Sequence, residues 1–516
     1  MLKSNYDVGL TPFDLVVFES FVPADHYLRK LKAVIDFTLV RPLVTDCYSP
    51  NHGRGAIEPV FLFKLALLQF HYDLSDEQVI RQAQVNMAFR FFLDLPLQDT
   101  LPEPSLLSQF RKRLGAKQFT KAFQEILRQA RGKGLVKDRL RLKDATHLLA
   151  NIAVPATIRL VAQTREQLLA VAESFAPEEV AKYRQAALDI RQTTSDLKDD
   201  ARLLARVEQL RALVEWGEAW QEQLDFGAPP VTTEVYDAFA SSLTIARKVL
   251  GDREPDTKDK LISLTDTDAR SGKHGEFYKG YLLDVMMDAD SNLICEIDVL
   301  PANADEAANA KKLIESEEAA HGNNIESLSI DGIGFNGAVL KALSDDPDGP
   351  QLEVFVPPKE QPPRNPELFQ SEDFKLNEAG DELTCPNGET TKTRYRDKKD
   401  HGWVYHFKAS QCANCPLRNK CIAANKQAHR KVSKNDFQAQ YNAAKQKATT
   451  EAYKQVRKQH PGIERKLNEL VRWHDGRHVR YRGRLRVKVQ YLLLGIVVNC
   501  KRIVRLLMAA PQPQPT

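Results

Sequence analysis

Three acids far apart in the chain have the types and settings for phosphodiester chemistry. Asp144 lies in RLKDATHLLANIAVP, which reads as a strand, and Asp331 ends a second short strand, SLSID, just ahead of GIGFNG. Glu464 comes much later on a basic helix, HPGIERKLNELVRW, before the cationic HVRYRGRLRVKVQYLLLGIVVNCKRIVRLL. Carboxylates suit hard divalent cations, because Mg²⁺ prefers oxygen ligands in near-octahedral geometry. Two such ions about 4 Å apart activate an attacking water or 3′-hydroxyl and stabilise the leaving oxygen of an in-line displacement. In that arrangement Asp144 bridges the ions, Asp331 binds one and Glu464 the other. Each acid alone says little, since the chain has 69 Asp and Glu and a lone Asp at a strand end is usually structural or solvated.

The surroundings of Glu464 add weight. Between Arg472 and Lys488 seven cations, Arg472, Arg477, Arg480, Arg482, Arg484, Arg486 and Lys488, face one acid, Asp475. Such a run is often a solvated face, but beside a carboxylate site it reads as a polyanion-binding surface. Arg grips phosphate bidentately, and neutralising several phosphates makes binding strongly salt-dependent. Trp473 and Tyr481, interleaved with these cations, are placed to stack on unpaired bases; the competing reading is that Trp473 packs its helix. A second candidate site is Cys385, Cys412, Cys415 and Cys421, spaced C-x26-C-x2-C-x5-C. Four thiolates, two on a tight CxxC knuckle, suit tetrahedral Zn²⁺ at ~2.3 Å. The site would be a structural zinc ribbon with no open coordination position; unligated thiols are the alternative. Cys47, Cys295 and Cys500 sit in apolar contexts and read as core.

Length and composition set the frame. At 516 residues the chain is expected to hold two to four domains, since one core rarely grows past ~250–300 residues. Apolar residues at 42% and charged ones at 28% allow large cores in a soluble protein. The start MLKSNYDVGLTPFDLV has acids and a Pro where a signal peptide needs an apolar stretch. The longest apolar run, Tyr491 to Val498, is far short of the ~20 residues that span a bilayer. No membrane association is expected, and the expected location is cytoplasmic. Seven Cys in a reducing compartment argue against a disulfide framework.

Element signals divide the chain. Residues 1–137 read as an all-helical domain for interaction or DNA contact: Ser75 and Gln78 have capping-box spacing, and PVFLFKLALLQFHY and QFTKAFQEILRQARGKG each bury one face. Arg111, Lys112 and Arg113 fall on its expected outer faces. Residues 138–160 and 251–358 read as a sheet-bearing core, interrupted at 161–250 by a charged helical insertion for packing or self-association. In the second part, two β-rich runs flank the turn Asp290-Ser291-Asn292. Helix, strand, helix and strand follow, which describes a mixed sheet covered by helices and an α/β class. Residues 359–432 hold a Pro-rich linker and the Cys segment, 433–508 complete the core with helices and the basic region, and 509–516 read as a disordered tail.

Several of these segments together resemble DDE-type transposases of bacterial insertion sequences. VPADHYLRKLKAVIDF, GRGAIEPVFLFKLALLQFHYDLSDEQVIRQAQVNMAFRFFLDL and PEPSLLSQFRKRLG resemble the family's N-terminal helical domain. LKDATHLLANIA resembles its first-Asp motif, SLTDTDARSGKHGEFYKGYLLDVMMDADSNLICEIDVLPANADE the segment before its second Asp, and SIDGIGFNG the second-Asp motif. PGIERKLNELVRWHDGRHVRYRGRLRVKVQYLLLGIVVNCKRI resembles its third-acid helix. The resemblance implies a ribonuclease-H-like catalytic core and two Mg²⁺ or Mn²⁺ ions on Asp144, Asp331 and Glu464. It also implies DNA partners, namely the element's terminal inverted repeats and target DNA, and a homodimer or higher multimer associated with the nucleoid. The implied activity is metal-dependent end cleavage and strand transfer; a nuclease without strand transfer and an inactive DNA-binding derivative are the alternatives. By the same resemblance Asp266, Asp268 and Arg270 lie at the mouth of the site, where Asp268 and Arg270 position substrate; the plain reading is a turn with Asx caps feeding a strand. His147 reads as an ordinary strand residue, or as a hydrogen-bonding group near the ions. Two departures stand out: Tyr453 and Arg457 fall too far upstream of Glu464 to match the family's Tyr and Arg, and His460 stands where Arg is common. Glu469 is the fallback for the third acid.

Overall fold

The computed structural model describes residues 2, 9–49, 52, 55–223, 231–359, 365–397, 401–423 and 429–508. The expected disordered tail at 509–516 and residues 360–364 of the Pro-rich linker lie outside the described residues.

Six strands form the central sheet: β1 (Arg141–Leu149), β2 (Arg270–His274), β3 (Glu276–Asp288), β4 (Ile294–Pro301), β5 (Ser327–Ser329) and β6 (Glu353–Phe355). β1 runs antiparallel to β3 from Arg141↔Asp288 to Leu149↔Gly280. On the other edge of β3, β2 and then β4 pair in succession, both antiparallel. β5 and β6 extend the sheet beyond β1 in parallel. The expected turn joins β3 to β4: Asn292 takes φ 58°, and the Asp288 carboxylate accepts from the Ser291 amide at 2.8 Å and its hydroxyl at 2.7 Å. Gly280 has φ +153°, and a Cβ there would lie 2.1 Å from the Leu148 carbonyl oxygen, so β1 and β3 approach this closely only at a glycine.

β3 and β4 are buried at nearly every position after Gly280 rather than alternately. Strands with that pattern need cover on both faces. One face packs against the Ala310–His321 helix through Met286, Leu313 and Ile314; the other meets the Arg484–Met508 and Ser105–Gly132 helices through Ile297, Val299 and Phe123. Gly495 lets the C-terminal helix come close, since a Cβ there would sit 2.4 Å from Ile297 Cδ1. Asn499 fastens the same helix to β4 by accepting from the Ile294 amide and donating to its carbonyl, both at 2.8 Å.

The N-terminal helices from Tyr27–Val34 to Ser105–Gly132 share this core. A single apolar cluster runs from Leu28 through Phe63 and Phe119 to Val285, Ile463 and Val504. The Ser75–Gln78 capping box forms as its spacing implies. Arg111 corrects an expectation. It is only 8% exposed rather than on an outer face, donating to Asp76 at 2.6 Å and Gln69 at 3.1 Å with its guanidinium over the Tyr481 ring. The planar guanidinium tolerates that burial because an acid and an amide satisfy its donors.

The helical insertion comprises Thr157–Ala172, Pro177–Thr193, Asp199–Gln223 and Thr233–Gly251. It builds its own core on Leu168, Leu210, Leu213, Phe239 and Leu243. The Cys segment forms two small three-stranded sheets around Phe374, Leu383, Tyr405, Phe407 and Val432.

Candidate active site

The parallel pairing of β1 with β5 decides where two of the acids fall. Leu142 lies opposite Ser329, and continuing that register two residues brings Asp144 level with Asp331. Asp331 lies two residues past the end of β5 and caps the turn Gly332–Gly334, accepting from the Ile333 amide at 3.2 Å. Asp144 accepts from the Ala145 amide at 2.8 Å. Glu464 arrives on the helix Pro461–Asn468, which lies across β1 and β3: a Cβ on Gly462 would be 3.1 Å from Met287 and 3.6 Å from Leu142.

The three carboxylates share one electrostatic field. Burial lifts the Asp144 carboxyl to about 6, and the charges of Asp331 and Glu464 add to that rise, while the Ala145 amide and Lys143 oppose it. Glu469, the fallback, is instead ion-paired to Lys466 at 2.7 Å.

Further side chains join the site that the sequence reading left out. Arg457 donates to the Ser329 hydroxyl at 3.2 Å and the Ile330 carbonyl at 3.0 Å, beside Asp331, and the charges of Asp331, Glu464 and Asp144 act on it. Arg457 stands on the preceding helix, Glu451–Gln459, seven residues before Glu464, and these bonds bring it to the acids although its spacing departs from the family's. His460, buried at the joint between the two helices, bonds Ser329 Oγ through Nδ1 at 3.1 Å. Its pKa falls to about 4, chiefly by burial and then by Arg457, so it is neutral. Glu306 is 8% exposed and has no hydrogen bond or ion pair among the described residues. Its carboxyl rises to about 7, by burial first, against Lys143 and with Asp284, Asp331 and Asp144. It lines a cleft of about 830 Å³ between the core and the Cys segment, walled by His274, Tyr278, Phe335, Trp403 and Lys434.

Three anionic donors with the charge of Asp144 left uncompensated are the donor chemistry a hard divalent cation takes. Among the described residues, however, no three His, Cys, Asp or Glu side chains form a closed ligand cluster. The raised carboxyl of Asp144 has a thermodynamic sign. The native protein binds that proton more tightly than the unfolded chain, so stability falls as pH rises from about 4 towards 6, and the penalty is complete above 6. Without divalent ions at pH 7.5, Asp144→Asn is expected to stabilise the protein by roughly 1–2 kcal/mol, discounted for partial exposure. Urea midpoints in chelator would show this, the gain disappearing near pH 4; an unchanged or lower midpoint for the variant at pH 7.5 would refute it.

Two family models match. Residues 16–113 match a transposase domain, DUF772, and residues 384–504 match a transposase DDE domain. The two matches support an insertion-sequence DDE transposase. The second match takes in Glu464 and the C-terminal helix, and neither spans Asp144 or Asp331. Transposases of this kind generally use divalent metal ions. No curated protein and no solved structure matches the chain.

The chain spends many of its basic candidates on its own fold. Arg477 donates to Thr146 Oγ1 at 3.1 Å and to the His147 carbonyl, Arg480 pairs with Asp73, and Lys488 pairs with Asp298 at 2.9 Å. Arg270 pairs with Asp259 and donates to the Thr267 carbonyl. Arg472, Arg482 and Arg486 are exposed and Arg484 is half-buried. Asp266 accepts from the Asp268 amide at 3.2 Å, as in an Asx turn, and from the Tyr281 hydroxyl at 2.6 Å, and Asp268 accepts from the distant Arg484 amide at 2.9 Å. His147 stands beside the rings of His274 and Tyr278. No helix among the described residues is long and apolar enough to cross a membrane.

Cys385, Cys412, Cys415 and Cys421 line one small cavity with Phe374, Phe407 and Arg430. Burial raises the Cys421 thiol, Arg430 opposes, and the other three cysteines add to the rise. All seven cysteines are free, with Cys295 and Cys500 in the core as expected and Cys47 half-buried. The four gathered thiols do not form a closed ligand cluster among the described residues.

Proposed function

We propose that this transposase cuts DNA at the ends of its own element and joins the freed 3′-hydroxyl to target DNA, with Asp144, Asp331 and Glu464 as the catalytic acids of a ribonuclease-H-like core. The observation that carries the reading is the shared field of the three carboxylates, from two neighbouring parallel strands and a crossing helix. The strand order, three antiparallel strands followed by two parallel ones, supports the core assignment.

Asp144, Asp331 and Glu464 would hold the divalent ions. Bound there, the ions activate the attacking oxygen and stabilise the leaving one. The chain's own groups do the rest. Arg457, tied to the end of β5, keeps Asp331 from drifting and offsets part of the negative charge that would otherwise repel a phosphate. Neutral His460 fixes Ser329 beneath it. The outward-facing Arg472 and Arg486, with Arg482 held at Nε by the Asn151 carbonyl, would meet phosphates and fix the register of the DNA without reading its sequence. A structural Zn²⁺ on Cys385, Cys412, Cys415 and Cys421 would cross-link the small sheets of that segment.

Supplying pre-cleaved element ends, Mg²⁺ and a plasmid target tests the reading. Joined products are expected; cleavage without joining would select a nuclease. Selective end binding with neither activity would select an inactive DNA-binding derivative.

A further inference from the structure

Trp473 is 83% exposed, more than any other large apolar side chain among the described residues. Its ring stacks on no other aromatic ring and lies under no cation within them, so no contact in the fold accounts for it. Tyr481, the other aromatic of the basic run, is by contrast covered by Arg111 and raised in pKa by burial. Only Trp473 remains open to a partner.

Its position relative to the acids is informative. The turn Glu469–Trp473 prolongs the Glu464 helix without a break. Ile463, Lys466, Leu467, Leu470 and Val471 face the core, whereas Glu464, Arg465, Asn468, Arg472 and Trp473 are exposed and form one stripe. The first four steps rise ~1.5 Å each as in an α-helix, but Glu469–Trp473 is wound as a π-helix with a smaller rise, so Trp473 lies roughly 11–13 Å along the axis from Glu464. A nucleic-acid strand rises ~3.4 Å per nucleotide, so that length is about four nucleotides. The charges along the stripe suit a polyanion. Arg465 and Arg472 have no ion pair among the described residues, Glu469 is neutralised by Lys466, and Glu464 and Asp475 are the remaining acids. Indole stacks on any base, and apolar wedges enter duplexes at steps that unstack readily.

We propose that Trp473 stacks on a base of the element end about four nucleotides from the phosphate held at the three acids, with Arg465 and Arg472 on the flanking phosphates. The inference rests on the proposed function above. The probe is a duplex carrying the terminal repeat that flanks the coding sequence, intact or with one abasic position from the second to the eighth nucleotide. Trp473→Ala is expected to weaken binding of the intact duplex about tenfold or more, and Trp473→Phe to restore most of that. On the duplex that lacks the stacked base, expected at the third to fifth position, wild type and Trp473→Ala should bind alike. Equal affinity on intact DNA, or a deficit that no abasic position removes, would overturn the proposal. If wild type still cleaves and joins ends in those cases, only the Trp473 assignment fails. If wild type neither binds ends selectively nor cleaves them, the underlying reading fails as well.

Discussion

Asp144→Asn is expected to lower end cleavage and strand transfer on the order of 10³-fold or more while leaving affinity for the element ends within about threefold. Asn keeps the shape of the side chain and an oxygen for the Ala145 amide, so the strand has no reason to move. What it removes is the negative charge that β1 contributes to the field shared with Asp331 and Glu464. DNA affinity should survive because the exposed cations, Arg472, Arg482 and Arg486, are elsewhere on the surface. Asp331→Asn should behave alike, and Glu464→Gln should lose activity where Glu469→Gln does not, since Glu469 is occupied by Lys466. Gel assays with labelled ends, scored separately for binding, nicking and joining, would measure all four. Substantial cleavage by Asp144→Asn would remove the acids from the chemistry.

The second large effect is on stability. Arg141, fully buried at the start of β1, donates to Glu317 at 2.6 Å and to Asp288 at 3.0 Å, and Arg131 also reaches Glu317. Glu317 and Asp288 are themselves buried, so Arg141→Met leaves two carboxylates facing an apolar side chain. Removing one partner from such a buried set costs about 3–5 kcal/mol. Urea unfolding at neutral pH should show that loss. Adding Glu317→Leu to the Arg141→Met variant should recover part of it, because the penalty lies in the orphaned charge rather than in the lost bond. A single variant as stable as wild type would mean that the network is not buried as described.

Some of this was readable from residue patterns. The buried strand around Asp144, the Asp290-Ser291-Asn292 turn and the Ser75 capping box have local causes, and local patterns reveal them. The third-acid helix was legible as a basic helix, and its buried side is set by Ile463, Leu467 and, just past its end, Leu470. Arg457 was set aside on its motif spacing, whereas what brings it to the acids is its long-range bonding to the end of β5. Glu306 carries no pattern of its own; its importance comes from lying unpaired within the field of acids at the ends of β1 and β5. The basic run misled in a different way. Seven cations in a row look equivalent, but partners hundreds of residues away, Asp73, Thr146 and Asp298, absorb Arg480, Arg477 and Lys488. The apolar core continuous between the N-terminal helices and the sheet was likewise invisible, since only long-range packing joins Phe63 and Phe123 to Ile297 and Ile496.

The most direct measurement is anomalous diffraction from crystals of the wild-type protein grown with a pre-cleaved element end and Mn²⁺. The account predicts a Mn²⁺ peak within about 2 Å of carboxylate oxygens of both Asp144 and Asp331, on the side crossed by the Glu464 helix. Mn²⁺ peaks that avoid both aspartates while DNA is bound would contradict it.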